Sequence, residues 1–143
     1  MSPDASLAVQ TAVFARLAGD PALAGLIGGR LFDRRPESRI FPHVVIGEAE
    51  TLADDSATRA GQVHVLTLHV WSRYRGRAEA KRILAALSAA LHRQVPALAL
   101  AGDMACVQAI VTYSAAMDDD DGVTTHGVLR LRVVTEALVP HTS

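Results

Sequence analysis

Apolar residues recur along this chain at two different spacings, and the change from one to the other marks out helices and strands. Near the N-terminus Val9, Val13, Phe14 and Leu17 fall on one face at helical spacing, and the pattern stops near Gly19. Ser2 can serve as an N-cap, Pro3 as the first helical residue and Asp4 as a carboxylate at the positive end, so a helix is predicted to begin there. Asp20-Pro21 repeats the signal and predicts a second, short helix to about Ile27, closed by Gly28-Gly29. The period then changes. A polar stretch, 30–39, containing Pro36, leads through Phe41-Pro42 into a β-branched run over 43–52. A second run over 61–73 places His64, Leu66, Leu68 and Val70 on one side and Val63, Val65, Thr67, His69 and Trp71 on the other. The two runs predict a hairpin whose tip is the loop 54–61.

Helical spacing returns after Gly76, a possible cap with Glu79 three residues on, where Ile83, Leu84, Leu87 and Leu91 form an apolar stripe among alanines. Pro96 and Gly102 break the chain around the apolar piece 97–101, which could add a short strand. The runs 105–117 and 123–137 then read as two strands joined by a turn at Asp118-Asp119-Asp120-Asp121-Gly122. The predicted order is two helices, a hairpin, a helix and a second hairpin. That order implies the α+β class, with a mainly antiparallel sheet of about four strands and helices packed on one face. No internal repeat or linker divides residues 1–143, so one domain is expected, with an ordered core over about 7–136 and a short C-terminal tail.

Composition narrows the classes. The 143 residues are 50% apolar and 20% charged with a net charge of −1, which suits a soluble domain able to bury one core without staples. Cys106 is the sole cysteine, so neither a disulfide framework nor a zinc spacing is available, and a cytoplasmic origin is expected. The opening residues lack a basic, apolar leader pattern and no run approaches a membrane span. Near-zero charge and 4% aromatics argue against a dedicated nucleic-acid binder.

No complete catalytic or cofactor-binding constellation emerges. Setting Gly122 at position six of a calcium loop puts Met117 at position one and Val128 at position twelve, where carboxylates are needed, so the acidic run reads as a solvated turn. His64 and His69 face opposite sides of one strand and cannot share a metal, and the other histidines are scattered. Nucleophile-elbow and phosphate-loop patterns are missing. Glu48 and Glu50 share a strand face, yet the sequence supplies them with no partner. Arg73, Arg75 and Arg77, beside Trp71 and Tyr74, read as a charged loop or protein interface ahead of a nucleic-acid patch.

Several segments in order along the chain are similar to one family. They are residues 7–17 (LAVQTAVFARL), 29–33 (GRLFD), 41–47 (FPHVVIG), 66–77 (LTLHVWSRYRGR) and 126–132 (HGVLRLR). Together they resemble the tail terminator, or tail completion, proteins of long-tailed phages, in the branch found in gene transfer agents, over about 7–136. The resemblance implies a structural protein with no catalytic residue, cofactor or metal. It implies a homo-hexameric ring that caps the tail tube, ends its polymerisation and joins the tail to a head-closure (stopper) neck protein. DNA would pass through the ring without specific binding. The chain would be made in the bacterial cytoplasm, make no use of a membrane and become part of the particle at the top of the tail. Interface or lumen candidates are Asp54, Asp55 and Arg59 in one hairpin loop, Arg73, Arg75 and Arg77 before the third helix, and Asp118, Asp119, Asp120 and Asp121 in the acidic turn. The rival readings are a neighbouring neck protein and, from another class, a small ligand-binding protein or enzyme, which a deep pocket with convergent polar groups would favour.

Overall fold

The helical stripes and the alternating strands belong to two layers. A computed structural model of the chain describes residues 4–38, 40–57, 59–95, 98, 100 and 102–138. Helix α1 spans Ser6–Ala18, α2 Pro21–Ile27 and α3 Ala78–Leu91. Asp20 caps α2 through the N–H of Leu23 at 3.0 Å, and Gly28 closes it in the left-handed conformation, both as the sequence predicts. The start of α1 differs from expectation. Ser2 and Pro3 lie outside the described residues, and α1 opens at Ser6, because Ala5 donates its N–H to the Gln62 side chain at 2.9 Å and is itself tied to the sheet. Gly76 does not cap α3 either: Arg77 occupies that position, and the Gly76 carbonyl accepts the Thr125 hydroxyl at 3.2 Å.

Five strands form one sheet in the order β1-β2-β3-β5-β4: β1 is Leu31–Phe32, β2 His43–Ala53, β3 Gly61–Ser72, β4 Met104–Asp118 and β5 Thr125–Ala137. The four long strands make the two predicted hairpins. Antiparallel pairing of β3 with β5, from Gly61 opposite Glu136 to Ser72 opposite Thr125, joins the hairpins. The expected count of four is corrected to five, because Leu31 and Phe32 in the polar stretch pair in parallel with Val44 and Val45. Two residues are too few to display an alternation. Of the piece 97–101, Leu98 and Leu100 are described; neither is in a strand, and Leu98 is buried.

One face of the sheet lies under the helices. His64, Leu66, Leu68 and Val70 of β3 and Leu129, Leu131 and Val133 of β5 are buried there against Ile83, Leu84, Leu87 and Leu91 of α3. Gly127 permits the close approach of α3, since a Cβ at that position would sit 3.0 Å from Val70 and 3.2 Å from Leu84. On α1 the buried residues are Val9, Ala12, Val13 and Leu17, whereas Phe14 turns out to the rim of a groove beside Leu7 and Phe32. The opposite face of the sheet, carrying Val65, Thr67, His69 and Trp71 of β3 beside Arg130 and Arg132 of β5, has no helix over it among the described residues. Strand β4 is an edge, bent by irregularities at 106–108 and 111–113. No helix among the described residues is long and apolar enough to cross a membrane.

Candidate functional site

The ten charged residues singled out in the sequence fall into two groups at opposite ends of the sheet. The distance between them is set by β3, whose 12 residues extend about 40 Å at roughly 3.3 Å per residue. Pairing of β3 with β5 brings the loop 73–77 beside the acidic turn at one end. At the other end it brings the loop 54–60 beside the finish of β5.

At the first end the acidic turn is exposed and internally braced. Asp121 accepts the N–H groups of Val123 and Thr124 at 2.9 and 2.7 Å and the Thr124 hydroxyl at 2.5 Å. The hydroxyl, then those amides, hold its carboxyl down to about 2. Arg73 donates to Thr124 Oγ1 at 3.1 Å, lies 3.8 Å from Asp121 and stacks its guanidinium 4.5 Å above the Phe41 ring. Arg77 donates to Asp118 at 2.8 Å. Arg73 and Arg77 therefore pair with the acidic turn of their own chain. The cause is topological, since both loops flank the same end of the β3–β5 ladder.

At the second end Asp55 accepts the N–H of Gly61 at 3.0 Å. Arg59 donates to the carbonyls of Ala137 and Leu138 at 3.0 and 2.6 Å and lies 3.8 Å from Glu136, which fastens the hairpin loop to the end of β5. The side chains of Asp54, Arg75, Asp119 and Asp120 make no hydrogen bond or ion pair among the described residues. All four are exposed.

Between the two ends, on the face without helices, lies a constellation that the sequence did not disclose. His69 Nε2 donates to Glu48 Oε1 at 2.7 Å, and His69 Nδ1 meets His126 Nε2 at 2.8 Å. His126 stacks on Trp71 with ring centroids 4.0 Å apart and planes 2° from parallel. Glu48 thus has a partner after all. It obtains one because β2 is irregular between Ile46 and Ala49, so that Gly47 and Glu48 together face Thr67. Gly47 leaves room for the imidazole, since a Cβ there would fall 2.7 Å from His69 Cδ2. The hydrogen bond to His69, foremost, lowers the Glu48 pKa, and burial, foremost, lowers that of His126. The available signal was the cross-strand pairing of Trp71 with His126, legible only once β3 and β5 are aligned. A shallow cleft beside Phe41, Trp71 and Arg73 is bordered by Asp119 and Asp121. Among the described residues no three His, Cys, Asp or Glu side chains are grouped to hold a metal ion.

The family described as tail completion protein gp17 matches residues 11–136. Among solved structures the chain is similar to one described as "Virion of native gene transfer agent (GTA) particle". The identity is 27% and the TM-score 0.85, with 95% of this chain and 100% of that one covered. No curated protein matches the chain.

Proposed function

Because the chain belongs to the tail completion protein gp17 family, a structural family of phage tails and not an enzyme family, we propose that it closes into a hexameric ring that caps the tail tube, ends tube growth and joins the tail to the head-side neck. The observation that carries this reading is the match over nearly the whole chain to a component of a gene transfer agent virion. The distribution of polar loops supports it. An adaptor between tube and neck needs two separate surfaces, and this sheet carries charged loops at both ends. Ring closure uses heterologous contacts, in which one surface of a subunit meets a different surface of the next. The partners are then the tube protein and the head-closure (stopper) protein, and DNA passes through the lumen without specific binding. Synthesis takes place in the bacterial cytoplasm and the protein ends in the particle.

Particles made without the gene test the proposal directly. Intact heads with unjoined tails, or tails of uncontrolled length, are expected by electron microscopy, and joined tails of normal length would overturn it. Binding of the purified protein to tube subunits distinguishes a cap from a protein one ring nearer the head. Asp119 and Asp120 report on the acidic turn, because their side chains are exposed and make no hydrogen bond or ion pair among the described residues. Their joint replacement by Asn leaves assembly intact and impairs DNA passage if the turn lines the lumen, and gives salt-hypersensitive rings if it contacts another subunit.

A further inference from the structure

The Glu48–His69–His126 chain spans β2, β3 and β5, the three inner strands of the sheet, on the face that the helices leave bare. Counting protons in it shows what it can do. With both imidazoles neutral, His69 Nε2–H donates to Glu48, and His126 Nε2–H donates to His69 Nδ1. One added proton leaves both bonds in place. It resides on His126, facing Trp71, or crosses the 2.8 Å bridge so that His69 Nδ1–H donates to His126 Nε2. A second added proton cannot be accommodated. Both bridging nitrogens then carry hydrogen, neither has a lone pair, and two cations face each other across a broken bond.

We infer that Glu48, His69 and His126 form a proton-gated clasp across the inner strands, closed with one added proton or none and opened by the second. The surroundings reinforce this behaviour. Glu48 from β2 stands at one end of the chain of bonds. Arg130 from β5 and Asp119 from the acidic turn are the other charged groups felt by it, and from β4 the residue opposite His126 is the uncharged Met117. Burial and the charge on His69 both oppose protonation of His126, more strongly than Asp119 and Glu48 favour it. Opening frees His126 from the Trp71 ring and severs the His69–His126 bond between β3 and β5, leaving the His64–Thr135 bond on the other face. The inference concerns the single chain and holds whatever ring the chain builds.

Trp71 is the only tryptophan, so its emission reports on this corner alone. The test follows the full-length protein through acid by histidine NMR and Trp71 fluorescence, with far-UV circular dichroism recorded on the same samples. The pair is expected to take up its second proton more than about one pH unit below its first. Trp71 emission changes at the lower step while the far-UV spectrum stays folded. In His69→Gln the neighbouring charge is gone, and the His126 step moves up toward the usual imidazole range of about 6.5. Three results overturn the clasp: the pair taking up both protons within about one pH unit, Trp71 emission flat through the lower step, or unfolding before that step is reached. All three are read on the wild-type chain, so the inference does not depend on a variant folding.

Discussion

His64 and His69 lie five residues apart on the same strand, yet the two faces of the sheet make different groups of them. His64 points under the helices, where it is 1% exposed, and both ring nitrogens are bound, to Thr51 Oγ1 at 3.0 Å and Thr135 Oγ1 at 2.9 Å. Burial lowers its pKa, which favours the neutral ring. His69 points away from the helices into a carboxylate and a second imidazole. On the covered face burial disfavours the charged ring of His64, whereas on the bare face His69 meets a carboxylate and an imidazole with which a proton can be shared. Strand parity, more than residue type, decides which histidine can respond to its surroundings.

The contrast is broken most severely from the covered side. Leu68→Ala removes a side chain that is 0% exposed, and a loss of about 2–5 kcal/mol is expected in denaturant unfolding. Val65→Ala, half-buried on the bare face, is expected to cost about 1 kcal/mol at most. His64→Leu comes next in size. It strands the hydroxyls of Thr51 and Thr135 at a cost of about 1–3 kcal/mol, and it changes the pH profile. The folded-state pKa of His64 lies below its unfolded value, so the stability tied to its neutral form is present above about 6.5 and is lost as pH falls through the folded pKa. The variant should flatten that part of the decline and leave the part due to His126.

Smaller effects sharpen the comparison at the charged end. Arg77→Ala breaks an ion pair whose side chains are 51% and 63% exposed, so a change of about 0–1 kcal/mol is expected, shrinking further in salt. Asp121→Asn is expected to act only on the turn. The Asp121 carboxyl titrates near 2, below the usual carboxylate value, so the bracing it gives is complete above about 4 and is lost as pH falls toward 2. Faster amide exchange at Val123 and Thr124 in the variant, with global unfolding unchanged, is the outcome to look for.

The two hairpins, the stripe of α3 and the inward side of β3 were legible because each rests on a period repeated over many residues. Leu31–Phe32 escaped notice because a two-residue strand has no period. The Glu48 partner was invisible for a different reason. An extra residue at 47–48 resets which side chains meet across β2 and β3, and alternation counted along one strand carries no information about its neighbour. Likewise the separation of the ten charged candidates into two ends follows from β3–β5 pairing, a contact between residues far apart in the chain. Phe14 was assigned to the buried face of α1 by spacing alone, whereas the stripe that packs is centred on Val9, Val13 and Leu17.

That same ladder bears on the order in which the chain can organise itself. Each hairpin closes on a short loop, with Ala53 meeting Gln62 and Asp118 meeting Thr125. The ladder between them begins where Ser72 meets Thr125 and ends where Gly61 meets Glu136, with all of α3 lying in the intervening chain. Closing that long span costs more chain entropy than either turn and is repaid only when many pairs form together. Two locally competent halves therefore meet at a seam that runs through the middle of the finished sheet. The seam is expected to form late in assembly of the fold, and pulsed amide exchange showing β3 and β5 protected no later than the two hairpin turns would overturn that order.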